Sequence, residues 1–391
     1  MSTRSVGAIA IALAAAITLA TACGGDNQAA SNGTTATTTG AATTATTSAS
    51  GLVGSVSTTG ISPDRCAANK AAGTITYLSG FDFAATASIV EVTMAKVNGY
   101  FDEMCLDVEV KPSFSTANYP LVAAGRAQFA SGGNYSEVLT QSQGGAKFAV
   151  VVDDGKVGID GLLVKADAGV KTPADLKGKT IGVLGTITPG VKAMLFNAGL
   201  VQDQDYKTVL LDGFDPVAHF SQDIVGRPGY KSNEPGILER AGVPFTLFDP
   251  AAEGIPGSFG IIYTSQDFLA AHPTAVQDFV RASMKGLADA IADPAAAVAA
   301  SVALINTAGN QNHLTEEGET FRWQTESKMV VDGTPAGQPL GLVDPVQLKA
   351  EVDAYSAAGV FESPVSMDGT YDADLVKGVY GPDNKVIWPD A

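Results

Sequence analysis

The pattern of apolar and polar positions changes character along the chain. From Gly73 onwards, short runs with strand-like alternation trade places with stripes of helical period. In LDVEVKP, Leu106, Val108 and Val110 alternate with polar neighbours, which predicts a strand. Just before it, Ile89, Val90, Val92, Met94 and Val97 recur at near-helical spacing and Gly99 supplies a stop, which predicts a helix. The same reading gives strands in GTITYLSG, AQFAS, KFAVVVDD, GIDGLLVKA, KTIGVLG, KTVLLDG, PFTLFDP and GSFGIIYTS. It gives helices in NYPLVAAGRA, NYSEVLTQSQ, TPGVKAMLFNAGL, DPVAHFSQ and NEPGILERAG, and a turn or two in TPADLKG. Thr188 is a natural N-cap and Pro189 fits the first helical position, while Asp215 caps the helix after it. Strands and helices that alternate with short connections imply parallel sheets wrapped by helices. After GSFGIIYTS the pattern turns helical: Val276, Val280, Met284, Leu287 and Ile291 form one stripe, and PAAAVAASVALI, EEGETFRWQTESKMV and DPVQLKAEVDAYSAAGVF follow as helices. The expected class is α/β, in two successive sets, with a helical tail.

The beginning of the chain carries neither pattern. Val6–Ala20 is apolar, Arg4 precedes it, and the small residues Ala20, Thr21 and Ala22 lead to Cys23. The run is short for a membrane span, which needs about 20 apolar residues. It has the layout of an export signal. With cysteine in the first mature position it resembles a bacterial lipoprotein signal, although Leu19 lies one place further out than that pattern expects. The resemblance implies that residues 1–22 are removed and that Cys23 carries lipid; the alternative is an ordinary cleaved signal. Residues 23–60 are rich in Thr, Ala, Gly and Ser, with almost no apolar bulk, and are expected to stay disordered as a tether.

Composition narrows the classes further. The 391 residues hold 24 Lys and Arg against 41 Asp and Glu, a net charge of −17. No basic footprint for nucleic acid is present. The body after the tether exceeds the usual size of one core, so two lobes are expected. There are three cysteines. If Cys23 is lipidated, Cys66 and Cys105 remain in an oxidising compartment and are expected to pair; the alternative is two separate buried thiols. His219, His272 and His313 show no ligand spacing with them, so no metal and no cofactor is expected.

With these elements in order, the residues resemble a known family. VNGYFDEMCLDVEV, LVAAGRAQFASGG, VKTPADLKGKTIGV and YTSQDFLAAHPTAVQDFVRASMKGL follow the order seen in extracytoplasmic substrate-binding proteins of ABC importers. The closest branch binds sulfonates, taurine, nitrate and the pyrimidine precursor of thiamine. GYKSNEPGILERAGV is similar to the N-E-P segment of the thiamine-pyrimidine members. The resemblance implies a two-lobed periplasmic-binding-protein fold with a two-strand hinge near Val157–Gly161 and Gly257–Tyr263. Residues 61–157 would form the first part of lobe 1 and 158–258 lobe 2, and 259–391 would return to lobe 1 with the C-terminal helices packed on it.

Ligands of such sheets bind at loops beyond the carboxyl ends of strands. The loops here supply Phe81, Asp82 and Phe83, then Asn134 and Tyr135, then Asp160, Thr186 and Thr188, then Phe214 and Asp215, then Tyr230 and Glu234. Asn134 with Glu137 three residues on also has the form of a capping box. Asp82, Asp160, Asp215 and Glu234 are acidic, and Arg227 and Lys231 are the nearby bases. A sulfonate wants donors and positive charge; an amino-heterocycle wants a stacking face and carboxylate acceptors for its N–H groups. The inventory favours the heterocycle. The expected role is a non-catalytic, monomeric receptor outside the cytoplasm. It would hold a small solute in the interlobe cleft, be held to the membrane by lipid, and deliver to the transmembrane subunits of an ABC permease. Sulfonate or another organic anion is the alternative solute. A pyrimidine-synthase-like enzyme is a competing class, but the Cys-rich segment such enzymes carry has no counterpart here. A surface lipoprotein with no transport role is the third.

Overall fold

The computed structural model of the chain describes residues 51–389. The signal segment, Cys23 and the tether up to residue 50 lie outside the described residues. Twelve strands are found among the described residues: β1 Val56–Ser57, β2 Gly60–Ile61, β3 Thr74–Leu78, β4 Asp107–Lys111, β5 Phe129–Gly132, β6 Phe148–Gly155, β7 Asp160–Lys165, β8 Thr180–Val183, β9 Lys207–Leu210, β10 Gly226–Tyr230, β11 Phe245–Phe248 and β12 Phe259–Ser265.

Beyond the short β1–β2 hairpin, they form two five-stranded sheets, in the orders β4-β3-β5-β12-β6 and β11-β7-β10-β8-β9. In the first, β3 runs parallel to β4 and β5, while β12 is antiparallel to β5 and β6. In the second, β8 runs parallel to β9 and β10, while β7 is antiparallel to β10 and β11. Each sheet is thus mostly parallel with one reversed strand, and that strand is the first after the chain changes lobe. The changes occur over residues 156–159 and 249–258. The two links touch: a Cβ on Gly257 would stand 2.7 Å from the Gly158 nitrogen, so only glycine permits the crossing there.

Each lobe has its own core. Ile75, Phe129, Val150, Ile262 and Phe279 are fully buried in the first, and Leu162, Ile181, Val191 and Leu195 in the second. The tail packs on lobe 1, as expected, but one of its helices also reaches the second core. Helix Pro345–Ala357 places Leu348 and Val352 in the first core and Tyr355, with Ala358 just beyond, in the second, because this one stripe, at i, i+4 and i+7, runs along the helix from one core to the other. Trp323, on helix Glu316–Gly333, is a core residue whose indole N–H donates to the Ala290 carbonyl at 2.9 Å.

Three further features differ from the sequence reading. Residues 51–60, read as the end of the tether, already belong to the body. Val53 N donates to Thr274 Oγ1 at 3.0 Å, β1 pairs with β2, and Val56 packs on the first core. Strand β10 went unrecognised because Gly226, Pro228 and Gly229 hide its alternation. Its proline is tolerated because the parallel pairing with β8 is made at Gly226. At the other end of the chain, Thr370–Asp372 extends the first sheet: Val150 N donates to the Thr370 carbonyl and Asp372 N to the Val150 carbonyl, both at 2.9 Å.

Cys66 and Cys105 form a disulfide, as expected from the cysteine count. It ties helix Pro63–Lys70 to the turn ahead of β4.

Candidate functional site

The second lobe brings four of the expected residues to one place. Asp160 opens β7 under the start of helix Pro189–Asn197, where Val191 N donates to its Oδ2 at 3.1 Å. The Thr188 hydroxyl lies beside the same carboxylate. Gly190 makes the approach possible, since a Cβ there would stand 2.5 Å from Asp160 Oδ1. Burial pushes the Asp160 pKa up, while Thr188, the Val191 N–H and Lys231 hold it back. This helix start, the natural seat for an anion, therefore already holds a carboxylate.

Glu234 begins helix Glu234–Arg240 and turns back on its own strand. Its Oε2 accepts from Tyr230 N at 2.8 Å and its Oε1 from Arg227 Nη2 at 3.0 Å. Arg227 Nη1 donates to His219 Nδ1 at 2.9 Å. His219 Nε2 donates to the Asp212 carbonyl at 2.9 Å, so the network assigns the ring proton to Nε2. The nearby bases are both committed: Arg227 is buried against Glu234, and Lys231 Nζ pairs with Asp249 Oδ1 at 2.9 Å. Tyr230 keeps 49% of its surface open. Burial, and then the charges of Glu137, Asp160 and Glu234, push the phenol pKa up, which puts Tyr230 within electrostatic reach of Glu137 on lobe 1.

On the lobe 1 side, Asn134 caps helix Tyr135–Ser142, its Oδ1 accepting from Glu137 N at 2.8 Å. Glu137 reaches back to the Gly133 N–H at 2.8 Å, one residue ahead of the capping-box position. Beneath it, Tyr119 and Tyr263 stack at 4.7 Å between centroids. Tyr119 lies close enough to ease the charge on Glu137, although no hydrogen bond of standard geometry joins the two.

Other expected residues stand elsewhere. Tyr135 is fully buried, its hydroxyl 2.5 Å from Thr370 Oγ1, and Phe83 is buried as well; both serve the core and present no face to a ligand. Asp82 adopts φ 51°, with Oδ1 accepting from the Phe83 N–H and Oδ2 from Asn312. Phe81 packs edge-on against Phe114, with the Arg322 guanidinium 5.9 Å from its centroid. Thr186 is exposed, Phe214 is 77% exposed, and Asp215 caps the Val217 N–H. The sequence reading missed Tyr119, Tyr263 and the acidic residues of the tail. Glu351, on helix Pro345–Ala357, accepts from Ser136 N at 3.0 Å, from Ser136 Oγ at 2.5 Å and from Ser258 Oγ at 2.5 Å, tying the tail to lobe 1 and the second link. Nothing in a helical stretch marks which acid will be buried.

A buried acid cluster stands at the end of β6. Asp154 Oδ2 accepts from Ser88 N at 3.1 Å, and Glu91 lies against Asp154 with no surface exposed. Burial, then Asp154, pushes the Glu91 carboxyl well up; burial pushes Asp154 to about 7, with the hydrogen bond from Glu91 and then Lys156 pulling it back. Asp153 rises to about 6 and Glu351 to about 7 for the same reason. A carboxyl whose folded pKa is raised stabilises the fold fully below its unfolded value and loses that contribution as pH climbs through the folded value. For Asp154 the window runs from 3.8 to about 7. The expected result is a melting temperature that falls as pH rises across this window, with a shallower slope in Asp154→Asn. Thermal melts at stepped pH test it; equal slopes in the two proteins would contradict it.

A family profile described as NMT1/THI5 like matches residues 86–297. The riboflavin-binding protein RibY of Chloroflexus aurantiacus is 30% identical over 231 residues, which is 56% of this chain and 61% of that relative. The chain therefore spans less than two thirds of that relative's length. Among solved structures, the periplasmic aliphatic sulphonate binding protein SsuA from Escherichia coli is similar with a TM-score of 0.56 at 12% identity, covering 77% of this chain and 91% of that one. The desulfurization enzyme DszB is similar with a TM-score of 0.53 at 14% identity, covering 78% of this chain and 98% of that one. At such identities the likeness is one of fold, and it agrees with the two lobes described above.

Proposed function

The chain belongs to the NMT1/THI5-like family, and from that premise we propose that it is a solute receptor of an ABC-type importer that captures an uncharged, planar nitrogen heterocycle between its lobes. One observation carries the choice of solute. The helix start at Pro189, where an anion would sit, holds Asp160, while Arg227 and Lys231 are spent on Glu234 and Asp249. A sulfonate would meet carboxylates there. A ring with N–H donors meets acceptors in Asp160 and Glu137 and an aromatic face in Tyr230. The riboflavin-binding name of the relative supports a flavin-like ring, and the N-E-P segment at Asn233–Pro235 supports an aminopyrimidine.

The same reading makes the chain a non-catalytic, monomeric protein outside the cytoplasm, held to the membrane through Cys23 and handing its solute to permease subunits. Calorimetry and thermal shift with riboflavin, the aminopyrimidine precursor of thiamine, taurine and an alkanesulfonate test it. A heterocycle at a hundredfold excess over its Kd is expected to add about 2.7 kcal/mol of stability, and the sulfonates none. Stabilisation by sulfonates alone would overturn the choice of solute. Chemical turnover of the bound ring would overturn the receptor role.

A further inference from the structure

We propose that helix Glu316–Gly333 is a closure latch, with Glu326 as the positioning residue that fastens the two lobes together. The helix is rooted in lobe 1: Trp323 is fully buried there, and Val330 packs with Ala87 and Phe259. Glu319, Arg322 and Glu326 fall at i, i+3 and i+7, so they share one face. That face lies between the loop after β3 and the turn after β10.

Glu326 accepts from both sides. Its Oε2 takes Thr86 Oγ1 at 2.5 Å and Ala87 N at 2.7 Å, both of lobe 1. Its Oε1 takes Ser232 Oγ of lobe 2 at 2.7 Å. A second tie runs beside it. Glu319 accepts from Ala85 N at 2.7 Å and pairs with Arg322, whose Nη2 donates to Asn233 Oδ1 of lobe 2 at 2.9 Å. Both carboxylates are 1% exposed, so these charged hydrogen bonds are shielded from water and strong.

The lobe 2 partners are Ser232 and Asn233, directly ahead of Glu234. Opening the lobes would strip Glu326 of its lobe 2 donor and Arg322 of its lobe 2 acceptor, and would leave the lobe 1 half of each tie in place. Closure and the arrangement of the Tyr230–Glu234 turn are thus coupled through one segment. The ties act on the open–closed equilibrium with no solute present. Their effect on affinity rests on the receptor reading above, because a less populated closed form lowers apparent affinity in proportion.

The test reads the lobes directly. Spin labels at Lys96→Cys of lobe 1 and Lys207→Cys of lobe 2, both exposed positions, report the interlobe distance in the full chain without solute. Ser232→Ala removes one lobe 2 donor and leaves the lobe 1 bonds of Glu326 intact. The expected result is a second, displaced population whose ratio to the closed one rises about tenfold in Glu326→Ala and several-fold in Ser232→Ala. Glu326→Gln, which keeps an acceptor for one side, should fall between Glu326→Ala and the unmodified chain. Should Glu326→Ala fail to fold, Ser232→Ala decides alone. Wild-type distance distributions in Ser232→Ala, and in Glu326→Ala where it folds, would overturn the latch, whereas failure of every heterocycle to bind would leave it standing and remove the solute reading.

Discussion

Asp278→Ala is expected to destabilise the chain by about 3–5 kcal/mol, the cost of leaving buried charges unpaired. Asp278 accepts from Arg65 Nε at 2.7 Å and Nη2 at 2.9 Å, from Arg281 Nε at 3.0 Å and from Asn69 Nδ2 at 2.7 Å. Arg65 and Arg281 are each 3% exposed, so removing the carboxylate strands two guanidiniums out of water. Arg281 also donates through Nη1 to the Val379 and Ile387 carbonyls at 3.1 Å, which carries the damage to the C-terminal segment. Asp278→Asn keeps the shape but not the charge, and should recover only part of the loss. Urea denaturation gives the values directly; a change under about 1 kcal/mol in Asp278→Ala would mean the network contributes shape and little energy.

Breaking the Cys66–Cys105 bond is the second large effect. The cysteines stand 39 residues apart, and closing a loop of that size stabilises by ~3–4 kcal/mol in the chain-entropy account. The double variant Cys66→Ser/Cys105→Ser should melt well below the native chain, and reductant should lower the native melting temperature while leaving the double variant unmoved. Equal melting temperatures with and without reductant would contradict this. The two large effects are not independent. Arg65, Cys66 and Asn69 share one short helix, and Asn69 Nδ2 also donates to the Met104 carbonyl beside Cys105. A double-mutant cycle between Asp278→Ala and the cysteine pair should therefore depart from additivity.

Much of the fold was legible because alternation and helical stripes are backbone-scale signals. LDVEVKP, KFAVVVDD and GSFGIIYTS became β4, β6 and β12 with shifts of a residue or two at the ends. Strand β10 was not legible, since two glycines and a proline in five residues carry no alternation, and its place is fixed by β7 and β8 on either side. The site divides along the same line. Asp160 could be named because its loop follows from the strand order, and Glu234 because of the N-E-P segment, with no help from the strand before it. Tyr135 was misread because a helix start has two sides, and its ring turns towards Thr370. Glu319, Glu326 and Glu351 left no trace, because what distinguishes them is a partner more than ninety residues away in sequence: Ala85, Thr86 and Ser136 for their lobe 1 bonds.

The described chain begins on lobe 1, at a hairpin fixed to Thr274 and followed by the helix that carries Arg65 and Cys66. A pull on the N-terminal side would therefore pass through the Asp278 network and the disulfide into the longest helix and spread there, without crossing Gly158 or Gly257. Under the mooring proposed above, the load would fall on lobe 1 and bypass the two links, so that tension and closure would run along separate paths.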